Sequence, residues 1–244
     1  MQKKFLCLIL GGIIATTTAI ADISSLAQPV KATASGISTN TTASGTAKAS
    51  IANTEPVAVN IPCDPDSACA VVSTTSKQVI NAINTDAKFQ QIQGIVTPQF
   101  DFSLMTKYAL GNNWKLASPD QQTQLVSLFK QLLLYTYVTA LSKFKGAQIT
   151  ITHADGNEKK AAVISEILLP TTGTSTVQPV KVEYDLAKIS TNTTWKAYDV
   201  KIENASLVTT YRNQFNDVIQ SNKIDGLIKQ LQTKVTGLKK TQGV

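Results

Sequence analysis

Histidine and cysteine are scarce in this chain. Among 244 residues there is one histidine, His153, and there are three cysteines. Zinc sites, histidine-based catalytic triads and iron–sulfur clusters each need several of these side chains, so the composition argues against all three. We therefore expect neither a metal centre nor a cofactor.

The sequence also lacks the motifs of common enzymes. It contains no phosphate-binding loop, no dinucleotide-binding glycine fingerprint and no nucleophile elbow. His153 lies at a predicted strand end without an evident nucleophile beside it. Asp199 and Glu203 are separated by roughly 13 Å of extended strand, so we interpret them as solvent-facing or helix-capping carboxylates rather than an acid–base pair. We predict no enzyme activity; a hydrolase using His153 or Asp199 is the minor alternative.

Charged residues are few, and the balance among them is basic. They form 16% of the chain, with a net charge of +7, whereas about 25% is usual in soluble domains. Nucleic-acid binding calls for basic and aromatic side chains on a common surface, but these lysines are scattered. We predict no nucleic-acid partner, and a weak attraction to anionic membrane surfaces stays open.

The chain begins with the three-part layout of a secretory signal. Lys3 and Lys4 precede the apolar run Phe5–Ile14, and small residues follow as far as Ala21. Because the run is too short to span a bilayer as a mature helix, we predict a signal peptide over residues 1–21 that is removed on export. A retained N-terminal anchor is the alternative.

A polar segment and a pair of cysteines follow. Residues 22–62 are rich in Ala, Ser and Thr and contain no aromatic residue, so they cannot offset their chain entropy by burial and should form a flexible tether. Cys63 and Cys69 bracket a turn-rich stretch. In an oxidising compartment two nearby cysteines tend to pair, which predicts a disulfide at the start of the first helix. A redox-active pair and two free thiols are the alternatives.

Apolar residues at helical spacing predict three short helices and a long one. The first ends near Asn84 and the second is stopped by Pro98. The third runs from Phe102 to Leu110, with Asp101 as its N-cap and Gly111 as its C-terminal stop. The long helix follows Ser118, an N-cap with Pro119 at the first helical position. Its two adjacent apolar stripes fit either a central core helix or a helix that lines a ligand.

After Gly146 the apolar period changes to two, which indicates strands. The alternating segments are residues 149–152, 161–169, 180–186 and 197–202. Short polar turns between them indicate an antiparallel meander with one apolar face.

Two helices, the first capped by Ser206, close the predicted fold. The class is α+β: a curved antiparallel sheet of about four strands packed against a set of helices. We expect a single domain over residues 63–238, followed by a basic tail, residues 239–244.

Three separated blocks of sequence resemble the MlaC family, also called toluene-tolerance proteins. They are FDFSLMTKYALGNNW at Phe100–Trp114, LLLYTYVTAL at Leu132–Leu141 and WKAYDVKIENASLVTTYRNQF at Trp195–Phe215. The family usually has a glycine where this chain has Asn204. Because asparagine tolerates left-handed backbone geometry, we expect the turn there to be kept.

The resemblance implies a soluble periplasmic lipid carrier of the Mla pathway. Such a protein shuttles a glycerophospholipid between an outer-membrane lipoprotein complex and the lipid-binding subunit of an inner-membrane ABC transporter, and so maintains outer-membrane lipid asymmetry. We expect a monomer without cofactor or metal. A structural or interaction protein of the cell envelope that has the same fold is the alternative function.

The resemblance also implies an apolar cavity between the sheet and the helices. For its lipid-binding wall we predict apolar and aromatic residues of both layers, each of which suits plain core packing equally well: Phe102, Met105, Trp114, Phe129, Leu133, Tyr137, Ile149, Ile151, Ile164, Val182, Tyr184, Tyr198, Val200, Tyr211 and Phe215. Arg212 is the candidate for an anionic headgroup, and a structural carboxylate is its alternative partner.

Overall fold

A computed structural model of the chain describes residues 60–170, 178–188 and 194–242. The predicted signal peptide and most of the predicted tether lie outside the described residues. The helices are α1 (Ala68–Asn84), α2 (Phe89–Val96), α3 (Phe102–Leu110), α4 (Pro119–Leu141) and α5 (Leu207–Gln242). The strands are β1 (Gln148–Gly156), β2 (Lys160–Leu168), β3 (Val180–Ala187), β4 (Lys196–Ile202) and β5 (Ala205–Ser206).

The strands form one antiparallel sheet in the order β1-β2-β3-β4-β5. The predicted α+β class and meander are confirmed, with one strand more than expected. The added β5 has only two residues, too few to show a period in the sequence. Glu203 and Asn204 turn the chain from β4 into β5 with φ of 50° and 68°, so asparagine does keep the left-handed turn.

Local signals place the helix ends where the sequence predicts them. The Asp101 carboxylate accepts a hydrogen bond from the Leu104 amide at 2.8 Å and caps α3, which ends at Gly111 with φ of 54°. Ser118 and Gln121 exchange side-chain and backbone hydrogen bonds at the start of α4. These caps satisfy amide groups that the helix itself leaves unpaired.

A break at Lys223 divides α5 into the two predicted helices. Lys223 has φ of 58° and ψ of −171°, outside the helical region. A Cβ at Gly226 would clash with the Asn222 Cβ, so the backbone just after the break needs glycine. The helix then continues to Gln242 and includes the start of the predicted basic tail, where the Lys239 ammonium lies 5.9 Å from the centre of the Tyr135 ring.

The N-terminal end of the described chain is fastened to the edge strand β1. The Ile61 amide donates to the Ile151 carbonyl at 2.9 Å, and the Asn60 side chain accepts from the Ile151 amide at 3.0 Å. Cys63 and Cys69 form a disulfide with their Cα atoms 5.3 Å apart. Residues 60–62, which the sequence assigns to the tether, are therefore attached to the fold.

The helical core is centred on α4 and α5. The Phe129 ring lies 4.9 Å from the Tyr211 ring and 5.3 Å from the Phe215 ring, both edge-on. By length and composition Pro119–Phe144 is apolar enough to cross a membrane, yet Leu125 and Phe129 of its first half are buried here in that core. Its second half lines a cavity, so α4 combines core packing with cavity lining.

Candidate functional site

A cavity of about 250 Å³ lies between the apolar sheet face and helices α1 to α4. An apolar cavity of about 150 Å³ can stay dry and hold a benzene-sized molecule. The polar side chains on the wall are Thr75, Ser76, Gln99, Tyr137 and Tyr184, and the other lining residues are apolar. The cavity therefore suits hydrocarbon far better than water.

The cavity wall has a helical part and a sheet part. Buried residues of α1, α3 and α4 form the helical part: Val79, Ile83, Met105, Leu133, Leu134 and Val138. Apolar residues of the strands form the sheet part: Ile149, Ile167, Val180, Val182, Val200 and Ile202. Along β3 the lining runs from Val180 to Leu186, which spans about 20 Å at the usual strand rise.

The opposite face of the sheet is polar. There the Lys201 ammonium lies 2.7 Å from a Glu183 oxygen and 2.9 Å from an Asp185 oxygen. Burial lowers the pKa of Lys201, but its two carboxylate partners outweigh that effect and raise it overall. The alternation of apolar and charged residues along β3 and β4 thus separates a ligand face from a solvent face.

The structure brings part of the predicted set together on the cavity wall. These residues are Phe102, Met105, Leu133, Tyr137, Ile149, Val182, Tyr184 and Val200. They come from α3, the second half of α4 and the inner face of strands β1, β3 and β4.

Other predicted residues lie outside the cavity because they pack between helices. Phe129, Tyr211 and Phe215 fill the α4–α5 core. Trp114, in the 3₁₀ segment Gly111–Leu116, packs against the edge of that core. Periodicity marks all four as apolar, but it does not tell which neighbour covers each of them.

Register shifts in the sheet account for two of the remaining misplacements, Ile151 and Tyr198, and the regular alternation along β2 accounts for the third, Ile164. Ile151 precedes a register shift in β1 and packs against the start of α1, away from the cavity. Ile164 faces the other side of β2. Tyr198 is skipped in the β3–β4 pairing, and its ring lies 5.5 Å from that of Tyr108. A shift of one residue in the strand register turns a side chain to the other face of the sheet, and a bulge leaves a residue unpaired.

Helix α1 supplies a side of the wall that the sequence analysis missed. Its lining residues are Val71, Val72, Thr75, Ser76, Val79, Ile80 and Ile83. The spacing of three and four residues was visible in the sequence and predicted the helix. It gave no sign that this stripe faces a cavity instead of a filled core.

Arg212 does not lie on the cavity wall. Its Nε donates to the Tyr108 carbonyl at 2.8 Å, at the C-terminal end of α3, where a cation is favoured by the helix dipole. It borders a separate polar pocket with Asn113 and Asn216. This main-chain bond stands in place of the carboxylate partner, and the headgroup contact of Arg212 stays a prediction.

Two tyrosine hydroxyls meet at the α4–α5 side of the cavity. Burial raises the pKa of Tyr137 to about 12, and the interaction with Tyr211 works against that rise. Burial, and after it the interaction with Tyr137, raises the pKa of Tyr211 well above its ordinary value. The buried Tyr211 hydroxyl has no partner with hydrogen-bond geometry. The two hydroxyls are therefore close to each other without forming a regular hydrogen bond.

The carboxylates considered for catalysis have structural partners. Asp199 is 7% exposed; it accepts from the Val208 amide at 3.1 Å and from the Ser206 hydroxyl at 2.5 Å. Glu203 accepts from the Lys181 amide at 2.8 Å. The helix-capping interpretation of Asp199 is confirmed, and His153 lies exposed on β1. Within the described ranges no three His, Cys, Asp or Glu side chains are grouped to hold a metal.

Comparisons with known proteins agree with this geometry. The chain is 26% identical over 143 residues to the toluene tolerance protein Ttg2D of Pseudomonas putida, covering 58% of this chain and 64% of that protein's length. It shares 28% identity and a TM-score of 0.61 with a phospholipid-binding protein of Ralstonia solanacearum solved in complex with a phospholipid, covering 70% of this chain and 98% of that one. The family model described as MlaC protein matches residues 69–233. The chain belongs to the MlaC family.

Proposed function

We propose that this protein is a periplasmic carrier of glycerophospholipids that acts without catalysis. The observation that carries the proposal is the apolar cavity between sheet and helices in a chain of this family. In this proposal the leader over residues 1–21 directs export. The carrier then exchanges lipid with an outer-membrane lipoprotein complex and with the lipid-binding subunit of an inner-membrane ABC transporter, maintaining outer-membrane lipid asymmetry.

The energetics of lipid transfer explain why a cavity is needed. A two-tailed lipid carries about 30 methylene groups, and at about 0.8 kcal/mol each their exposure to water costs on the order of 25 kcal/mol. Such a molecule does not cross an aqueous compartment unaided at a useful rate. A carrier must offer its tails surroundings nearly as favourable as a bilayer, and no bond has to be made or broken.

The length of the cavity supports the same proposal. A bilayer has a hydrocarbon core about 30 Å thick, so an acyl chain reaches about 15 Å from the ester group. The lining along β3 from Val180 to Leu186 covers about 20 Å. The wall is therefore long enough to cover a whole chain.

Organic extraction of the purified protein, followed by mass spectrometry, tests the proposal. A phospholipid recovered in stoichiometric amount supports the carrier and reports its headgroup and chain lengths. A well-folded protein that is empty after isolation from the periplasm would contradict it and favour a structural envelope protein.

Val182→Glu or Val200→Glu should abolish lipid co-purification. Both side chains line the cavity and are buried, and a carboxylate there strongly disfavours a hydrocarbon neighbour. Ile164→Glu places the same charge on the opposite face of the sheet and should leave the lipid bound. Full lipid occupancy in a folded Val200→Glu protein would show that the tails lie elsewhere.

A further inference from the structure

Three hydroxyl groups, two of them on the cavity wall, lie close together on the side formed by α1 and the sheet. Ser76 of α1 and Tyr184 of β3 both line the cavity. The Tyr184 hydroxyl is hydrogen-bonded by the side chains of Ser76 and Ser165. Ser165 is fully buried on β2, behind the wall, and its hydroxyl also reaches the Val182 carbonyl at 3.5 Å.

This is the side where the two parts of the wall meet. Ser76 stands on α1 one turn before Val79, which belongs to the helical part. Tyr184 packs against both apolar clusters of the sheet. Ser76 and Tyr184 thus contribute to the cavity wall from its helical part and its sheet part.

We propose that Ser76 and Tyr184 form the subsite that holds the ester carbonyl oxygens of the bound lipid, with Ser165 positioning the Tyr184 hydroxyl. This inference rests on the proposed lipid-carrier function. An ester carbonyl only accepts hydrogen bonds, and hydroxyl groups can donate them. Pockets of this kind are mainly apolar and use a few placed polar groups to fix the ligand.

Tyr137 provides the matched comparison on the same wall. It is also a cavity-lining tyrosine, but its hydroxyl interacts with that of Tyr211 on α5. If any tyrosine hydroxyl sufficed, Tyr137 and Tyr184 would matter equally. The subsite predicts that only Tyr184 distinguishes lipids by their ester groups.

The test is a competition between phosphatidylglycerol with two ester-linked chains and its analogue with two ether-linked chains of the same length. The protein is loaded from mixed vesicles, and bound lipids are counted by mass spectrometry. We expect the unaltered protein to favour the diester about fivefold for each hydrogen bond gained. Tyr184→Phe and Ser76→Ala should each reduce that preference, while Tyr137→Phe should keep it.

A direct readout uses diester lipid with isotope-labelled carbonyl groups. Hydrogen bonding should lower the infrared frequency of the bound carbonyl, and Tyr184→Phe, which removes a single oxygen atom, should reverse the shift. Equal binding of diester and diether by the unaltered protein would overturn the subsite and leave the carrier function standing. Failure to load either lipid would instead overturn the carrier function itself, and the subsite with it.

Discussion

At the scale of single residues, Asp199 shows how a charged group can be buried for structural reasons. Its carboxylate accepts bonds from the Val200 and Val208 amides and from the Ser206 hydroxyl. It thereby joins β4 to the start of α5. The four-residue spacing to Glu203 looked like paired chemistry, but each carboxylate satisfies backbone groups of its own.

Asp199→Ala should lower the free energy of unfolding by about 1–3 kcal/mol, because buried donors at the start of α5 lose their acceptor. Denaturant unfolding followed by circular dichroism measures the change. Asp217→Ala, which removes an exposed carboxylate from the same helix, is the control and should be close to neutral. Equal stability of the two variants would refute the capping role.

Residue-level prediction succeeds where the signal is local. Asp101, Gly111 and Ser118 were assigned correctly because a cap depends only on a few neighbouring residues. Phe129 and Leu133 are one turn apart on α4, yet the first is core and the second lines the cavity. That difference depends on whether α5 or the cavity lies opposite each side chain. The residue pattern of α4 alone does not carry this information.

At the scale of elements, α1 links the N-terminal end of the described residues to the cavity. The disulfide holds its first turn, and the stripe from Val71 to Ile83 forms one side of the cavity. The length of α1 and its end near Asn84 could be predicted from the spacing of its apolar residues. By contrast, two-residue β5 and the shifts in β1 and β4 depend on pairing between strands and leave no mark on the sequence of one strand.

Replacing Cys63 and Cys69 together by serine should lower the melting temperature while lipid still co-purifies. The disulfide closes a loop with a sequence separation of 6, which corresponds to about 2 kcal/mol of unfolded-state entropy. For a domain of this size that is a fall of roughly 4–8 °C, measurable by calorimetry. A reducing agent should destabilise the unaltered protein by the same amount and leave the double variant unchanged; loss of lipid from the variant would mean that the disulfide also shapes the cavity.

At the scale of the whole molecule, the sheet and the helices form two apolar layers that do not fill the space between them. Most small domains close such a gap with side chains at high packing density. The fold class was predictable because it follows from the order of helical and strand periods. The cavity between the layers was not predictable, because the same apolar residues could equally form a filled core.

Removal of the lipid should destabilise the entire domain. A ligand that binds only the folded state at 100 times its Kd contributes about 2.7 kcal/mol. We therefore expect the delipidated protein to melt several degrees lower, and reloading from vesicles to restore the original melting temperature. Val200→Glu protein should show the same melting temperature before and after the extraction procedure, and a lipid-dependent shift in that variant would contradict the cavity assignment.

The small number of polar groups on the cavity wall also determines how a bound lipid can leave. Water entering behind a departing chain would find hardly any partner beyond a few hydroxyls and the Gln99 amide, so an open, flooded intermediate is unfavourable. We expect the lipid to leave only when an apolar surface of an acceptor is already in contact with the protein. Its departure rate should then rise with the concentration of acceptor instead of staying constant, as it would for spontaneous escape into solution.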